Sequence, residues 1–332
     1  MSDLPDSPPA VSENARGRGS VREILVAGFV TTLLLGAFLA FPIVGALALP
    51  FLAVPAVRLT HRLGVGAGIS AAFLSSSLLL GLALASGGAG EAVGVALFAA
   101  IATSLPALFA SRVRRGAEPS RAYLGLCLAG FALITAGLAL RPYAGGRTMR
   151  QEIAATFDEM TPAAVQSYTR GGMDPDAVAK LKATLSAARD FAARFWIGLV
   201  GVSWVLASAI GFYTGARLAR PEPSAEAVRF EALSVPAAVV ALFVAGGAGA
   251  VLAPSPAREI AGNALLPLSA LYFLAGLSII CHFARKWFRV RILRVGLYGL
   301  ALYFPINVGV GLLGLFDWYA DFRHRGQKVE MS

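Results

Sequence analysis

The sequence predicts an all-α integral membrane protein, a helical bundle that crosses the bilayer about nine times. Hydrophobic residues make up 57% of its 332 positions and charged residues only 14%, and the mean hydropathy is +0.68. This composition is typical of membrane proteins and excludes an ordinary soluble domain. Long runs without a charged residue, and basic residues gathered in alternate loops, indicate several spans with a defined orientation.

The number of spans follows from the charge-free runs, because a bilayer core about 30 Å thick needs roughly 20 apolar residues in a helix. Eight runs occur, at 24–57, 63–90, 92–111, 122–140, 195–216, 232–256, 260–284 and 295–316. The first is too long for one helix, and Pro42, Pro50 and Pro55 predict that it breaks into two short or tilted pieces. We therefore expect nine spans, with eight as the alternative.

The arginines predict the orientation. Basic residues concentrate in alternate loops, namely Arg16, Arg18 and Arg22; Arg58 and Arg62; Arg112, Arg114, Arg115 and Arg121; Arg217, Arg220 and Arg229; and Arg285, Lys286, Arg289, Arg291 and Arg294. This distribution places the N-terminus in the cytoplasm and explains the net charge of +10 without a nucleic-acid partner. Nine spans leave Arg323 outside the cytoplasm. This conflicts with the positive-inside rule, by which basic loop residues stay in the cytoplasm. The alternative is that the chain from Pro305 onward enters the membrane and returns without crossing.

The spans divide the chain into five segments. Residues 1–21 are expected to be a disordered cytoplasmic tail, and residues 326–332 a second tail. An N-terminal membrane bundle of about five spans covers 22–141, and a C-terminal bundle of about four spans covers 195–325. Between them, residues 142–194 have balanced acidic and basic residues, which predicts a water-exposed helical insertion outside the cytoplasm.

Local signals predict three helices in this insertion. Thr148 and Gln151 match a capping box, and Thr161 with Pro162 indicates the start of a second helix that Gly171 and Gly172 end. Asp174 with Pro175 opens a third helix, which continues into the sixth span. The insertion is interpreted as a helical connector, with a gate or a partner-binding module as alternatives.

No pattern for catalysis, a metal or a cofactor occurs at the required spacing. Polar residues within the spans are therefore the candidates for a ligand site or for contacts that tie helices together, among them Tyr272, Tyr303 and Asn307. Along one face of the sixth span, small residues recur at intervals of four, namely Ser203, Ala207, Gly211 and Gly215. They predict close helix packing within the monomer, with a dimer interface as the alternative.

The stretch GLFDWYADFRHR at 314–325 ends the last run. Asp317 and Asp321 share a helix face, and Asp321 with Arg325 has the spacing of a weak surface ion pair. The neighbouring aromatic residues fit the belt at a membrane surface. Asp317 is the more deeply placed carboxylate and is a further candidate site residue.

The same stretch resembles the closing signature of the YybS-like family of predicted multi-pass bacterial membrane proteins, a domain of unknown function. YFLAGLSIICHFARK at 272–286 and VRFEALSVP at 228–236 are similar to other parts of that family, although Ala275 stands where the family often has glutamine. The resemblance covers most of 22–325 and implies a bacterial cytoplasmic membrane location. It also implies a distant similarity to the substrate-binding components of vitamin transporters and to a rod-shape membrane protein of cell-wall synthesis.

Two classes of function fit these observations. The first is a substrate-binding or transport component for a small or amphiphilic molecule, working with partner proteins, with Tyr272, Tyr303 and Asn307 lining the ligand cavity. The second is a non-transporting scaffold for cell-envelope or division machinery, which binds proteins through 142–194 or through cytoplasmic loops. An enzyme is not expected, because no nucleophile or metal constellation occurs, and the expected partner common to both classes is the lipid bilayer.

Overall fold

The computed structural model describes residues 13–41, 45, 47–85, 89–140, 147–219 and 228–323. Within these residues the fold is all-α, as predicted, and contains no strand. The helices are α1 Glu13–Ala40, α2 Val54–Leu63, α3 Val65–Ala85, α4 Ala89–Arg114, α5 Pro119–Leu140, α6 Met149–Arg170, α7 Pro175–Leu218, α8 Ala237–Leu252, α9 Ala257–Trp287, α10 Arg291–Leu302 and α11 Ile306–Ala320. Short 3-10 turns occupy Leu49–Phe51 and Phe230–Ala232.

Six of the described helices are long and apolar enough to cross a membrane, and a seventh span results if α10 and α11 form one bent span. The predicted number of nine is not confirmed. The second piece of the first run is α2, whose 10 residues rise only about 15 Å, about half the thickness of a bilayer core. α8 has 16 residues and is also shorter than a regular span. Charge-free length counts turns and short helices together with regular spans, so it does not give the number of long helices.

Some predicted segments differ from the structure or lie beyond it. Helix α1 begins at Glu13, inside the segment 1–21 for which the sequence predicts a disordered tail. Residues 1–12, the tail 326–332 and the predicted partner of Asp321, Arg325, lie outside the described residues. The chain folds into two compact units, unit 1 with Met1–Leu126 and Ala207–Val228 and unit 2 with Cys127–Leu206 and Arg229–Ser332.

Unit 1 packs α1 to α4 with the first turns of α5 and the last turns of α7. One part of its core joins the buried residues Leu35, Leu52, Leu79 and Ala99. The end of α7 packs closely here, because a Cβ added at Gly211 would lie 2.7 Å from Ala53, and one at Gly215 would lie 2.7 Å from Val57. These two members of the predicted small-residue face thus contact the chain's own α2 region.

The polar insertion in unit 2 consists of α6 and the first half of α7. The capping box at Thr148 and Gln151 is confirmed, and α6 ends at the predicted glycines. The predicted helix start at Thr161 and Pro162 is wrong, since Pro162 lies inside a continuous α6. A proline removes one backbone donor, and an exposed helix tolerates this loss because water bonds to the freed carbonyl.

Salt bridges connect α6 to α7. Arg189 binds Asp158 through two parallel hydrogen bonds, at 2.8 Å from Nε to Oδ1 and 3.0 Å from Nη2 to Oδ2. The hydrogen bonds and charge of Asp158 raise the pKa of the Arg189 guanidinium. Arg150 of α6 donates to the carboxylate of Glu259 at the start of α9, at 2.9 Å, and to the carbonyl of Ala193 at 3.1 Å. The insertion is therefore attached to the apolar part of unit 2.

The predicted continuity of the third insertion helix with the sixth span is confirmed, since α7 runs through 44 residues with a kink at Phe195. Asn263 of α9 lies at this kink. Its Oδ1 accepts from the Gly198 amide at 2.8 Å, and its Nδ2 donates to the Arg194 carbonyl at 3.2 Å. In a regular helix these two backbone groups bond to each other. The Asn263 amide thus takes the place of one helical hydrogen bond, while Gly262 leaves room for the Phe195 ring.

Replacing Asn263 with Leu should therefore destabilise unit 2. Two backbone groups lose their side-chain partner. The Arg194 carbonyl lies at an exposed contact where water can replace the partner, whereas an unsatisfied buried group such as the Gly198 amide costs about 1 to 3 kcal/mol, so we expect a loss of about 1 to 3 kcal/mol. Denaturant unfolding in detergent, followed by tryptophan fluorescence, measures the change. Asn263→Asp should be less harmful because it keeps the acceptor for Gly198. Equal stability of the wild type and Asn263→Leu would show that the kink does not depend on this side chain.

Candidate functional site

The most unusual feature of unit 2 is the interrupted helix pair at its C-terminal end. α10 has 12 residues and α11 has 15, and their axes differ by 95° across a break between Leu302 and Ile306. Tyr303 ends α10 in an extended conformation, and Pro305 precedes α11. Neither helix alone reaches the roughly 20 residues of a span. We call residues 291–320 the broken helix pair.

The pair starts and ends on the same side of unit 2. α10 begins at Arg291, shortly after α9 ends at Trp287. In the last turn of α9, Arg285 binds the carboxylate of Glu231 at 2.8 Å. Just after α11, Arg323 donates to the carbonyl of the same Glu231, also at 2.8 Å. The contacts to Glu231 bring the two ends of the pair close together, a geometry that a chain entering the membrane and returning to the same side would have.

Arg323 holds the end of α11 in place. Its Nη2 donates to the Leu233 carbonyl at 2.7 Å and to Asp317 Oδ2 at 2.9 Å, in addition to the Nη1 bond to Glu231. The side chains of Arg323 and Asp317 are only 10% and 15% exposed. Asp321 makes this possible because its left-handed backbone, with φ of +44°, turns the chain back after the helix. We call this set of contacts the Arg323 clasp.

Two glycines let α9 and α11 approach closely. A Cβ at Gly276 would overlap the carbonyl oxygen of Val310, and one at Gly314 would overlap the carbonyl oxygen of Tyr272. Helices in lipid gain stability from such backbone contact, because burial of apolar side chains adds little there. Gly276 is the glycine of the aromatic-rich stretch 272–286 on which the family resemblance rests.

The four candidate polar residues lie at three different places. Tyr272 is 2% exposed, with its ring 5.1 Å from that of Phe243, so it packs in the interface of α8 and α9. Tyr303 and Asn307 flank the break, where Tyr303 is 67% exposed and the buried Oδ1 of Asn307 has no hydrogen-bond partner among the described residues. Asp317 belongs to the Arg323 clasp. The break thus brings together Tyr303 and Asn307, and Tyr272 lies apart from them.

The other two members of the small-residue face lie in different units. Ser203 lies in unit 2 and donates to the carbonyl of Leu199 in its own helix at 3.0 Å, and Ala207 is half-buried in unit 1. In the described part of the chain no group of three or more His, Cys, Asp or Glu side chains is placed to hold a metal ion. Neither Cys127 nor Cys281 takes part in a disulfide within the described residues.

Sequence reasoning missed Arg323 as the partner of Asp317. The spacing of six residues is not a helical spacing, so the pattern favoured Asp321 with Arg325 instead. One local signal for the turn after α11 is Asp321 at the helix end, because aspartate tolerates the left-handed backbone conformation that reverses a chain. The contribution of the Glu231 and Leu233 carbonyls comes from a segment some 90 residues earlier and leaves no local pattern.

The fold and these helix interruptions define a multi-pass helical membrane protein. A family described as "Predicted membrane protein (DUF2232)" matches residues 29–318, which is most of the sequence. The chain therefore belongs to this family of membrane proteins. No curated protein and no solved structure matches it significantly.

Removing the Arg323 guanidinium should loosen the broken helix pair. Arg323→Gln leaves the Asp317 carboxylate and two carbonyls without a cationic donor, and breaking a buried ion pair costs about 3 to 5 kcal/mol. We expect a clear drop in the thermal unfolding temperature in detergent. Asp317→Asn should cost less because Arg323 keeps both carbonyl acceptors.

Arg291→Gln is the matched control, since Arg291 is exposed at the start of α10. An equal drop in the unfolding temperature for Arg291→Gln and Arg323→Gln would contradict the clasp.

Proposed function

We propose that this protein is a substrate-binding or transport component for a small or amphiphilic molecule, that it is not an enzyme, and that it acts with partner proteins in the bacterial cytoplasmic membrane. The observation that carries the proposal is the break between α10 and α11, with Tyr303 and Asn307 on its two sides. The proposal also places the N-terminus in the cytoplasm, on the basis of the arginine-rich alternate loops.

A helix break within a membrane protein needs a reason. Backbone that is not helical is tolerated at membrane depth only where protein covers it or where it lines a cavity, since lipid offers no hydrogen bonds. Interrupted helices are accordingly a common element of binding sites in transporters. The break at Tyr303 to Pro305 is not covered by the chain itself, since Tyr303 and Phe304 are 67% and 71% exposed, so in lipid a ligand or a partner protein would have to cover it.

The side chains at the break suit a molecule with both polar and apolar parts. The Tyr303 hydroxyl donates or accepts a hydrogen bond, and the Asn307 Oδ1 is an acceptor without a partner among the described residues. The Phe304 ring offers apolar surface next to them. Buried polar atoms normally have partners, so a ligand that donates to Asn307 would satisfy the one that lacks a partner.

The resemblance to the YybS-like family supports the same class of function. The proposed relationship to the substrate-binding components of vitamin transporters implies that a separate protein supplies the energy. The sequence shows no nucleotide-binding motif of its own, so an ATP-driven mechanism would use a partner.

The broken helix pair is proposed to enter the membrane from the cytoplasmic side and to return to it. The support is the shared position of Arg285 and Arg323 on Glu231. Residues 287 and 319 should then be accessible from the same side of the membrane and residue 252, at the far end of α8, from the opposite side.

Single cysteines test this topology in a background where Cys127 and Cys281 are changed to Ser. We expect a membrane-impermeant maleimide to label Trp287→Cys and Tyr319→Cys in inside-out vesicles and Leu252→Cys in right-side-out vesicles. All three side chains are well exposed. Labelling of Tyr319→Cys together with Leu252→Cys would mean that the pair crosses the membrane as a bent span.

Mass spectrometry of the protein extracted from its native membrane tests the ligand site. We expect a retained small molecule, absent from a mock purification, whose amount falls about tenfold or more in the double variant Tyr303→Phe/Asn307→Leu, because two hydrogen bonds of about 1 kcal/mol each are lost. Tyr319→Phe is the matched control, since it removes the hydroxyl of an exposed tyrosine elsewhere on α11.

The scaffold function remains the second candidate, and one observation favours it. Met160, Tyr168 and Phe191 are large, exposed apolar residues on the polar pair of α6 and α7, where a partner protein would cover them. A reproducible partner without any retained molecule, lost on deletion of residues 148–190, would favour the scaffold and overturn the binding proposal.

A further inference from the structure

A groove in unit 1 has properties of a lipid site. It runs between α1 and α2, is also lined by Leu218 of α7, and has a volume of about 480 Å³. Its walls are mostly apolar, with Val26 and Val30 from α1 and Val54 from α2. Its polar lining consists of Arg22, Glu23 and Arg58. We call it the α1–α2 groove.

The order of residues along the two helices places the charged groups toward one end of the groove. On α1, Arg22 is followed at intervals of four by Val26 and Val30, so these three residues share one face of the helix. On α2 the order is reversed, because Val54 precedes Arg58 by four residues. The ion pair of Arg62 with Glu23, at 2.9 Å, brings the end of α2 to the start of the apolar part of α1.

The charge at this end is not balanced within the described chain. Glu23 is neutralised by Arg62. Arg22 and Arg58 are both exposed, and neither forms an ion pair or a hydrogen bond with another residue that the structure describes. Two guanidinium groups therefore face the mouth of an apolar groove without an anionic partner.

The groove also has the orientation that a lipid requires. The membrane-spanning part of α1 begins at Ser20, so Arg22 lies at the membrane surface, and Val30 lies about 12 Å deeper along the helix. Val26 lies within this spanning part and is 56% exposed, so an acyl chain can contact it. A guanidinium binds phosphate through two parallel hydrogen bonds and suits a headgroup at this level.

We infer that the α1–α2 groove binds an anionic phospholipid, with its phosphate between Arg22 and Arg58 and one acyl chain along Val26 and Val30. Basic pockets between membrane helices bind anionic headgroups in this way. The volume lies within the range of small-molecule sites, roughly 300 to 1,000 Å³. This site is in unit 1 and does not depend on the ligand proposed at the break in unit 2.

Native mass spectrometry of the full-length protein in detergent tests the site by titration with phosphatidylglycerol, phosphatidylcholine of the same acyl chains, and soluble glycerol phosphate. We expect phosphatidylglycerol to bind at least several-fold more tightly than phosphatidylcholine, and glycerol phosphate to bind far more weakly than either. Arg22→Gln/Arg58→Gln should weaken phosphatidylglycerol binding about fifteen- to thirty-five-fold, because each arginine near a headgroup contributes a factor of about four to six and the two factors multiply.

Two further variants distinguish binding in the groove from non-specific attraction of the lipid by surface charge. Arg289→Gln/Arg291→Gln removes the same charge from exposed arginines of unit 2 and should leave phosphatidylglycerol binding unchanged. Val26→Trp keeps both groove arginines and fills the space beside them, so it should weaken binding about as much as the arginine pair does.

Three outcomes would overturn the inference. If the two double-arginine variants weaken phosphatidylglycerol binding equally, the lipid is attracted by surface charge alone and not by the groove. Unchanged binding in Val26→Trp would exclude the acyl chain from the groove. Equal affinity for glycerol phosphate and phosphatidylglycerol would indicate a soluble anion rather than a lipid. If Arg22→Gln/Arg58→Gln does not fold, Val26→Trp and the comparison of the three ligands still show whether the groove binds the lipid.

Discussion

The structure depends on one constraint, that a backbone amide or carbonyl in lipid must find its hydrogen bond within the protein. Helices satisfy it along most of the described chain, and the interruptions show how it is met elsewhere. At the Phe195 kink, the Asn263 side chain bonds to the two backbone groups that a regular helix would join. Ahead of α8, the carbonyls of Glu231 and Leu233 accept from Arg323. At both places a polar side chain supplies the hydrogen bonds that the helix does not.

Features that depend on neighbouring residues could be predicted from the sequence. The all-α membrane fold follows from charge-free length, the start of α6 from the spacing of Thr148 and Gln151, and the continuity of α7 from its apolar rhythm. All three rest on contacts between residues at most four positions apart. The number of spans could not be predicted in the same way, because a proline-rich apolar run has the composition of a span whether it forms one long helix or the 10-residue α2.

Features that depend on distant segments could not be predicted. Asn263 lies in the charge-free run 260–284, but its two partners lie more than 60 residues earlier. The candidate site was predicted in part: Tyr303 and Asn307 lie together because they are close in sequence, whereas Tyr272 packs against Phe243 instead of joining them. Asp317 pairs with Arg323, and this partner could not be predicted because the left-handed Asp321 redirects the chain.

The arginines of the two units show what the positive-inside rule leaves unexplained. The rule accounts for the side of the membrane on which an arginine lies, but not for the groups around it. In unit 2, Arg285 and Arg323 find a carboxylate or carbonyls within the chain. In unit 1, Arg22 and Arg58 have no such partner among the described residues and stand at the end of an apolar groove. A charge placed only for topology has no need of a groove, and this difference is the physical reason to look for an anionic ligand beside α1.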